Sequence, residues 1–148
     1  MARKKHLTVI LLILSGLFFG YAAHAEVIVK CGPSKGYAYY YPSLYVSEEK
    51  AGWQTDGIST GSTTIVMVDG EPDVLYGDAI GGVFSSRADG GSVTILGITD
   101  SMVVIGVSYP QKVVEVYTYN SEEQTLMLFQ SRYGGSVIKT NLFLSHCE

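Results

Sequence analysis

Residues 32–36 have the residue types of a nucleophile elbow, in which a serine on a sharp strand-to-helix turn attacks a carbonyl carbon. Ser34 would be the nucleophile, and it would need a histidine and an acid from later in the chain. Beyond residue 25 the chain contains a single histidine, His146, and it adjoins a cysteine. Tyrosines follow this segment where the elbow needs a helix. We therefore interpret the match as coincidental, and a small hydrolase using Ser34, or the acids Asp56 and Asp78, is the least favoured function.

Three alternating carboxylates could bind a hard cation such as calcium. They are Asp69, Glu71 and Asp73, and they lie around a predicted hairpin turn. The EF-hand pattern is not met, because Val74 stands at its glycine position and Ile80 at its closing glutamate. A solvated polar turn is the favoured interpretation, with a weak calcium site as the alternative. One histidine and two cysteines cannot supply a zinc ligand set, so we predict no metal and no other cofactor.

The aromatic residues suggest binding chemistry. Tyr37, Tyr39 and Tyr41 share one face of a predicted strand, because side chains alternate between the two faces of a sheet. Trp53 and Asp56 lie in the longest irregular stretch, residues 53–61, and long ordered loops on a β scaffold often carry function. A tyrosine ring has an apolar face and a hydroxyl group, which suits sugar or peptide binding. These five residues form the predicted binding site, and packing of tyrosines over a sheet is the alternative.

Residues 1–25 have the features of a secretory signal peptide. A basic start at residues 3–5 precedes an apolar run at 7–23, and Ala23 and Ala25 are the small residues before a cleavage site. We predict cleavage after Ala25, which leaves residues 26–148 as one secreted domain without a membrane span. Cleavage removes three of the ten basic residues and none of the 14 acidic ones, so the net charge becomes −7. Such a charge argues against binding to nucleic acid or to an anionic membrane.

Cys31 and Cys147 are the two cysteines of the chain, and they lie 116 positions apart. In an oxidising compartment such a pair predicts a disulfide bond. For so long a loop the chain-entropy model gives a stabilisation of roughly 4–5 kcal/mol. The alternative, a reactive Cys147 beside His146, would leave Cys31 without a role.

Short β-rich runs, divided by clusters of Gly, Asp, Asn and Pro, must position these residues. The predicted strands are residues 27–30, 36–41, 63–69, 73–77, 82–86, 92–98, 102–109, 113–119, 125–132 and 136–144. From residue 63 onward they begin about every 8–12 residues, the spacing of an antiparallel sandwich or barrel. The sequence therefore predicts an all-β, antiparallel up-and-down meander that forms a small barrel or a two-sheet sandwich and is closed by one disulfide. One short helix is predicted at residues 47–52.

On one predicted strand, Val114 and Val116 share a face, and Glu115 and Tyr117 lie on the other. We expect the valine face to be dry and the opposite face to be wet. A barrel that carries a ligand needs an internal cavity, and an interior filled by Val104, Val116, Leu126 and their neighbours would exclude that function.

Six short segments of the chain form a recurring set. They are Cys31-Gly32-x-Ser34-x-Gly36-Tyr37-Ala38-Tyr39-Tyr40, Trp53-x-x-Asp56-Gly57-Ile58-Ser59-x-Gly61, Asp73-Val74-Leu75-Tyr76-x-Asp78, Ser108-Tyr109-Pro110, Val114-Glu115-Val116-Tyr117 and the terminal Cys147. Together they resemble a family of small exported bacterial β-domain proteins, of proteobacterial type, that has no assigned function. The resemblance implies a location in the Gram-negative cell envelope and brings no catalytic residue with it.

These observations predict a non-enzymatic binding protein of the periplasm or the cell exterior, with a protein, a glycan or a small molecule as partner. One alternative is a periplasmic inhibitor of a lysozyme-like enzyme, by analogy of size and fold and because an acidic domain attracts basic proteins. The other is a small ligand-carrying β-barrel.

Overall fold

A computed structural model of the chain describes residues 24–77 and 81–148. Nearly all of the predicted signal peptide, residues 1–23, lies outside the described residues, and so does Asp78. The strands are β1 (Ala25–Tyr40), β2 (Gly52–Ile58), β3 (Ser62–Val68), β4 (Glu71–Gly77), β5 (Val83–Ser85), β6 (Ser92–Ile98), β7 (Met102–Tyr109), β8 (Val113–Asn120), β9 (Thr125–Arg132) and β10 (Lys139–Cys147). In this part of the chain, no helix has the length and apolar character needed to cross a membrane.

The strands form one antiparallel sheet that curls into a half-barrel. Its order is β5-β4-β3-β1-β10-β9-β8-β7-β6, and β2 pairs with β1 beside this path. Two simple meanders, β3 to β5 and β6 to β10, therefore meet at β1. The predicted all-β, barrel-like class is confirmed. The plain up-and-down order fails at β1, which lies between β3 and the last strand of the chain, and between β5 and β6, which stand at the two ends of the order.

Strand β1 joins the two halves of the sheet and is 16 residues long. On one side it pairs with β10, and on the other its first half pairs with β3 and its second half with β2. The sequence predicted two strands here because Gly32 and Pro33 interrupt the β-rich pattern. The structure absorbs them in a register irregularity between Cys31 and Ser34. A β-bulge of this kind lets one strand continue past residues that a regular ladder would exclude.

Strand β2 contradicts the prediction of a long loop at residues 53–61. Its sequence has few β-branched residues and no clear alternation, but its residues pair one by one with β1 from Gly52 to Ile58. This pairing depends on a partner strand distant in the chain, which a local pattern does not reveal. The predicted helix at 47–52 is reduced to a single 3₁₀ turn at Glu48–Lys50.

The other strands lie close to their predicted positions, and residues 92–98, 102–109 and 125–132 match in full. Asp69 and Gly70 form the turn between β3 and β4 with φ of 51° and 82°. Positive φ at both central residues is the type I′ hairpin geometry, which Asp-Gly sequences favour. Strand β10 runs on to Cys147, beyond the predicted end at residue 144.

The predicted disulfide is confirmed. Cys31 and Cys147 are register partners on β1 and β10, with Cα atoms 3.9 Å apart. Both are buried within the hydrophobic core, together with residues from both meanders, among them Ile65, Ile105 and Phe143. The bond therefore ties the first strand to the last inside the core.

Candidate functional site

The inward face of β8 carries the polar side chains that define a candidate site. Glu115 is only 8% exposed and Tyr117 is buried, whereas Val114 on the opposite face is 37% exposed. The prediction of a dry valine face was therefore wrong for this strand. Period-two alternation identifies which residues share a face, but the curl of the sheet decides which face is inside.

The concave side of the half-barrel encloses an open cavity of about 810 Å³. Its walls combine apolar side chains, such as Leu128, with a larger number of polar ones. The polar lining residues include Thr63, Tyr76, Tyr109, Glu115, Tyr117 and Gln130. Part of the interior is filled by the hydrophobic core, to which Leu126 belongs, and the cavity shares Tyr117 and Leu128 with that core. The space that a ligand-carrying barrel requires is therefore present in only part of the interior.

Glu115 is the centre of a hydrogen-bond network in this cavity. The hydroxyl of Tyr117 donates to Oε2 of Glu115 at 2.8 Å. Nε2 of Gln130 donates to Oε1 at 2.7 Å. Gln130 is the register partner of Glu115 on β9, and Tyr117 lies two residues along β8, so all three project to the same side. Burial, reinforced by the negative charge of Glu115, holds the pKa of Tyr117 well above its ordinary value.

Two further tyrosines of the cavity are perturbed in the same direction. The hydroxyl of Tyr76 donates to Oδ2 of Asp89 at 3.1 Å. Burial and this hydrogen bond raise the pKa of Tyr76 to about 12. Burial also raises the pKa of Tyr109, and the charge of Glu115 adds to the effect. All three phenols therefore stay protonated at neutral pH.

Basic side chains lie at the mouth of the cavity rather than in its interior. Lys112, in the turn before β8, and Arg132, at the end of β9, both line the cavity and are exposed. The described residues form two ion pairs, Arg87 with Glu71 and Lys139 with Asp56. Glu115 belongs to neither pair. The buried carboxylate is thus held by two neutral donors and by no cationic side chain of the described chain.

Four of the five predicted binding residues lie together on the convex side, and we call Tyr37, Tyr39, Tyr41 and Trp53 the outer aromatic surface. Trp53 is 72% exposed and Tyr37 is 61% exposed. The ring of Tyr39 has its centroid 4.9 Å from that of Tyr41 and 5.5 Å from that of Trp53, both in edge-on geometry. The structure thus adds Trp53 to the tyrosine face, because β2 places it opposite Tyr39 in the register.

Asp56, the fifth predicted residue, lies on the opposite face of the sheet. Its neighbour Thr55 is the register partner of Tyr37, so the side chain of Asp56 points away from the aromatic surface. Its Oδ2 accepts from Nζ of Lys139 at 2.6 Å and from the hydroxyl of Tyr40 at 2.7 Å. Partial burial opposes the charge, but these hydrogen bonds outweigh it and lower the pKa of Asp56 below its ordinary value. The pKa of Tyr40 is raised by burial and by its bond to the carboxylate.

The three candidate calcium ligands have separate protein partners. Oδ1 of Asp69 accepts from the backbone N–H of His24, and Oε2 of Glu71 pairs with Arg87 at 3.0 Å. Asp73 is buried and accepts from a serine hydroxyl of β5 and from backbone N–H groups. Within residues 24–77 and 81–148, no group of three or more His, Cys, Asp or Glu side chains could hold a metal ion.

Ser34 does not have the geometry of a nucleophile elbow. It lies within β1, opposite Ser145 on β10, rather than on a turn before a helix. Its Oγ is buried and has no hydrogen-bond partner among the described residues. His146 follows Ser145 and therefore projects from the other face of the sheet, where it is exposed.

The Glu115–Gln130 network and the contacts of Arg87 were not predicted from the sequence. Nε of Arg87 donates to the carbonyl oxygen of Pro72 on β4 at 2.6 Å, and one of its terminal nitrogens donates to that of Val93 on β6 at 3.2 Å. Arg87 thus links strands near the two open edges of the half-barrel. A glutamate within a valine-rich strand was the one available signal for the cavity network, and its inward direction was not visible in the sequence.

Searches for similar proteins returned no match to a protein-family model, to a curated protein or to a solved structure.

Proposed function

We propose that this protein is a non-enzymatic binding protein that receives a small ligand in the cavity of its half-barrel. The observation that carries the proposal is the open cavity of about 810 Å³ with polar side chains on its walls. Ligand sites in proteins are commonly concave and about 300–1,000 Å³ in volume, with polar groups that orient the ligand. The ligand-carrying alternative from the sequence is thus the function that the geometry supports best.

The burial of Glu115 supports the same proposal. Burying a carboxylate is unfavourable unless its hydrogen bonds are replaced, and here Tyr117 and Gln130 replace two of them. An apolar residue at position 115 would fill the interior at lower cost in solvation. A polar group kept in the wall of a cavity is what recognition of a polar ligand requires.

We further propose that the protein acts outside the cytoplasm, in the periplasm of a Gram-negative cell or beyond it. The bond between Cys31 and Cys147 supports this location, because structural disulfides persist in oxidising compartments. The signal-peptide pattern of residues 1–25 and the resemblance to small exported bacterial proteins support it independently. Cell fractionation of the tagged full-length chain, followed by mass determination of its N-terminus, tests both the export and the cleavage after Ala25.

A cavity-filling substitution tests the binding site. Thr63 lines the cavity on the same face of β3 as the buried Ile65, so Thr63→Trp places an indole in the ligand space. A ligand that binds only the folded state stabilises it by about 2.7 kcal/mol when its concentration is a hundred times its Kd, and the melting temperature rises as a result. In a thermal-shift screen of sugars, muropeptides, amines and carboxylates, every hit for the wild type should lose its shift in this variant.

The matched control is Thr94→Trp, which adds the same side chain at an exposed position of β6 and should leave each shift unchanged. If Thr63→Trp does not fold, NMR of the methyl groups of the wild-type protein provides the second test. Bound ligand should then move those of Leu128 and Val113 in the cavity and leave those of Val114 on the outside. Hits that persist in folded Thr63→Trp, or that move only outer resonances, would contradict a cavity site.

The outer aromatic surface supports a second candidate function, binding of a protein or a glycan. Exposed, mutually packed Tyr and Trp side chains are frequent in such recognition surfaces. A partner that binds there should lose affinity in Trp53→Ala and keep it in Thr63→Trp. A lysozyme is the partner to try first, since the mature net charge of −7 favours basic proteins.

A further inference from the structure

The charged and hydrogen-bonding side chains of the cavity favour one class of ligand. This inference rests on the proposed cavity-binding function. We propose that the cavity binds a ligand with a primary ammonium group, and that this group lies against the carboxylate of Glu115 beside Tyr117. The apolar part of such a ligand would lie along Leu128 and the neighbouring walls.

Glu115 has no countercharge among the described residues. Buried charges in proteins are usually paired with an opposite charge. The ion pairs of the described residues are Arg87–Glu71 and Lys139–Asp56, so Glu115 has no cationic partner there. Its nearest hydrogen-bond partners, Tyr117 and Gln130, are neutral donors. A cation brought by the ligand would supply the charge that the protein leaves out.

Glu115 has more hydrogen-bond acceptor positions than the protein uses. A carboxylate offers about four lone-pair positions, and Glu115 uses two of them within the protein. The hydroxyl hydrogens of Tyr117 and Tyr76 are already donated to Glu115 and Asp89. What these groups can still offer a ligand is therefore acceptor capacity. A primary ammonium group has three N–H donors and no acceptor, so it complements this inventory better than a neutral alcohol does.

Three tyrosine rings form an aromatic wall of the cavity. Tyr76, Tyr109 and Tyr117 line the same cavity as the carboxylate. Tyrosine rings attract cations through their negative faces, and the attraction increases when water is excluded. Burial is the main cause of the raised pKa of each of these phenols, and the negative charge of nearby carboxylates contributes to it.

Lys112 and Arg132 do not cancel this preference. Both are exposed to water, whose high dielectric constant weakens their interaction with a charge in the cavity. Arg132 is opposite Val113 in the register, one inward position away from the Glu115–Gln130 pair, which corresponds to about 6.6 Å along the strands. The ammonium group is therefore expected beside the buried Glu115, away from the exposed basic side chains.

The experiment compares the binding of two probes of equal carbon-chain length to the disulfide-bonded protein of residues 26–148. Pentylamine carries a charge and three donors at pH 7, whereas 1-pentanol is neutral. Binding is followed by the chemical shifts of the Leu128 and Val113 methyl groups, which line the cavity. We expect pentylamine to bind at least about tenfold more tightly, the effect of one charged hydrogen bond.

Glu115→Gln removes the charge and keeps the side-chain size, and it should weaken pentylamine binding about tenfold without changing the affinity for 1-pentanol. Glu122→Gln, in the exposed turn before β9, is the matched control and should change neither affinity. If Glu115→Gln does not fold, the difference in affinity between pentylamine and 1-pentanol for the wild type still tests the inference.

Equal affinities for the two probes, or unchanged pentylamine binding in folded Glu115→Gln, would overturn the ammonium inference, and so would the absence of any cavity shift with pentylamine. The cavity-binding function fails separately. The cavity-binding function is refuted only if the broader ligand screen finds no ligand whose thermal shift is abolished by Thr63→Trp.

Discussion

Removal of the Cys31–Cys147 bond is the perturbation whose size the structure predicts most directly. The two cysteines are register partners on β1 and β10, and their side chains are buried in the core. The bond joins residues 116 positions apart, so it closes almost the whole described chain into one loop. We expect the double variant Cys31→Ala/Cys147→Ala to fold into the same sheet with much lower stability, since every strand pairing remains possible without the bond.

The magnitude follows from the length of that loop. In the chain-entropy model, cross-linking a loop of this size lowers the entropy of the unfolded chain enough to give about 5 kcal/mol at 25 °C. Small domains are typically stable by about 5–15 kcal/mol, so the loss would be a large part of the total. At about 4 °C per kcal/mol for a domain of this size, the melting temperature should fall by roughly 20 °C.

Urea unfolding followed by circular dichroism measures the effect. Reduced wild type is the matched control, because it keeps both buried sulfur atoms and loses only the cross-link. The difference between the reduced protein and the alanine variant then gives the packing contribution of the sulfur atoms. A loss below about 1.5 kcal/mol in the reduced wild type would refute the argument, and would mean that the unfolded chain is already compact enough to make the cross-link unimportant.

Two further predictions concern the sheet around β1. In Gly36→Ala the new Cβ would overlap the backbone carbonyl oxygen of Leu142 on β10, so we expect a stability loss of about 1–3 kcal/mol in urea unfolding. Gly32→Ala is the control and should be close to neutral, because its Cβ would have its nearest neighbour at 4.0 Å. Equal losses in both variants would contradict this explanation. Because Lys139 and its neighbours lower the pKa of Asp56 below 3.8, the ionised carboxylate stabilises the folded state above that pH and loses the contribution as the pH falls through the folded-state value. Wild type should therefore be more stable than Asp56→Asn at pH 7, and thermal melts should show the gap narrowing below about pH 3.8; a gap that does not change with pH would rule out the charge as its cause.

The candidate binding residues divide clearly into those the sequence could identify and those it could not. The outer aromatic surface was within reach, because Tyr37, Tyr39 and Tyr41 alternate on one strand and alternation fixes a shared face. Asp56 was grouped with them by its nearness to Trp53 in the sequence. The structure separates these two, since residues 53 and 56 of an extended strand project to opposite faces.

The cavity was beyond the reach of sequence analysis for a different reason. Glu115 and Tyr117 could be assigned to one face of a strand, but an alternating pattern has the same form whichever face is inside. Their partner Gln130 comes from β9, and Tyr76 comes from β4 on the far side of the sheet. Only the curl of the sheet brings β4 and β8 to one interior.

The sequence by itself determined the all-β class, the positions of most strands, the Asp69-Gly70 turn and the pairing of Cys31 with Cys147. These features depend on short-range chemistry: side-chain alternation, the backbone preferences of turn residues, and the presence of only two cysteines. The tertiary structure alone decided the central place of β1, the existence of β2, and the direction in which each face points. Those outcomes depend on contacts between distant segments, and the free energy of such contacts is set by the whole sheet rather than by any local run of residues.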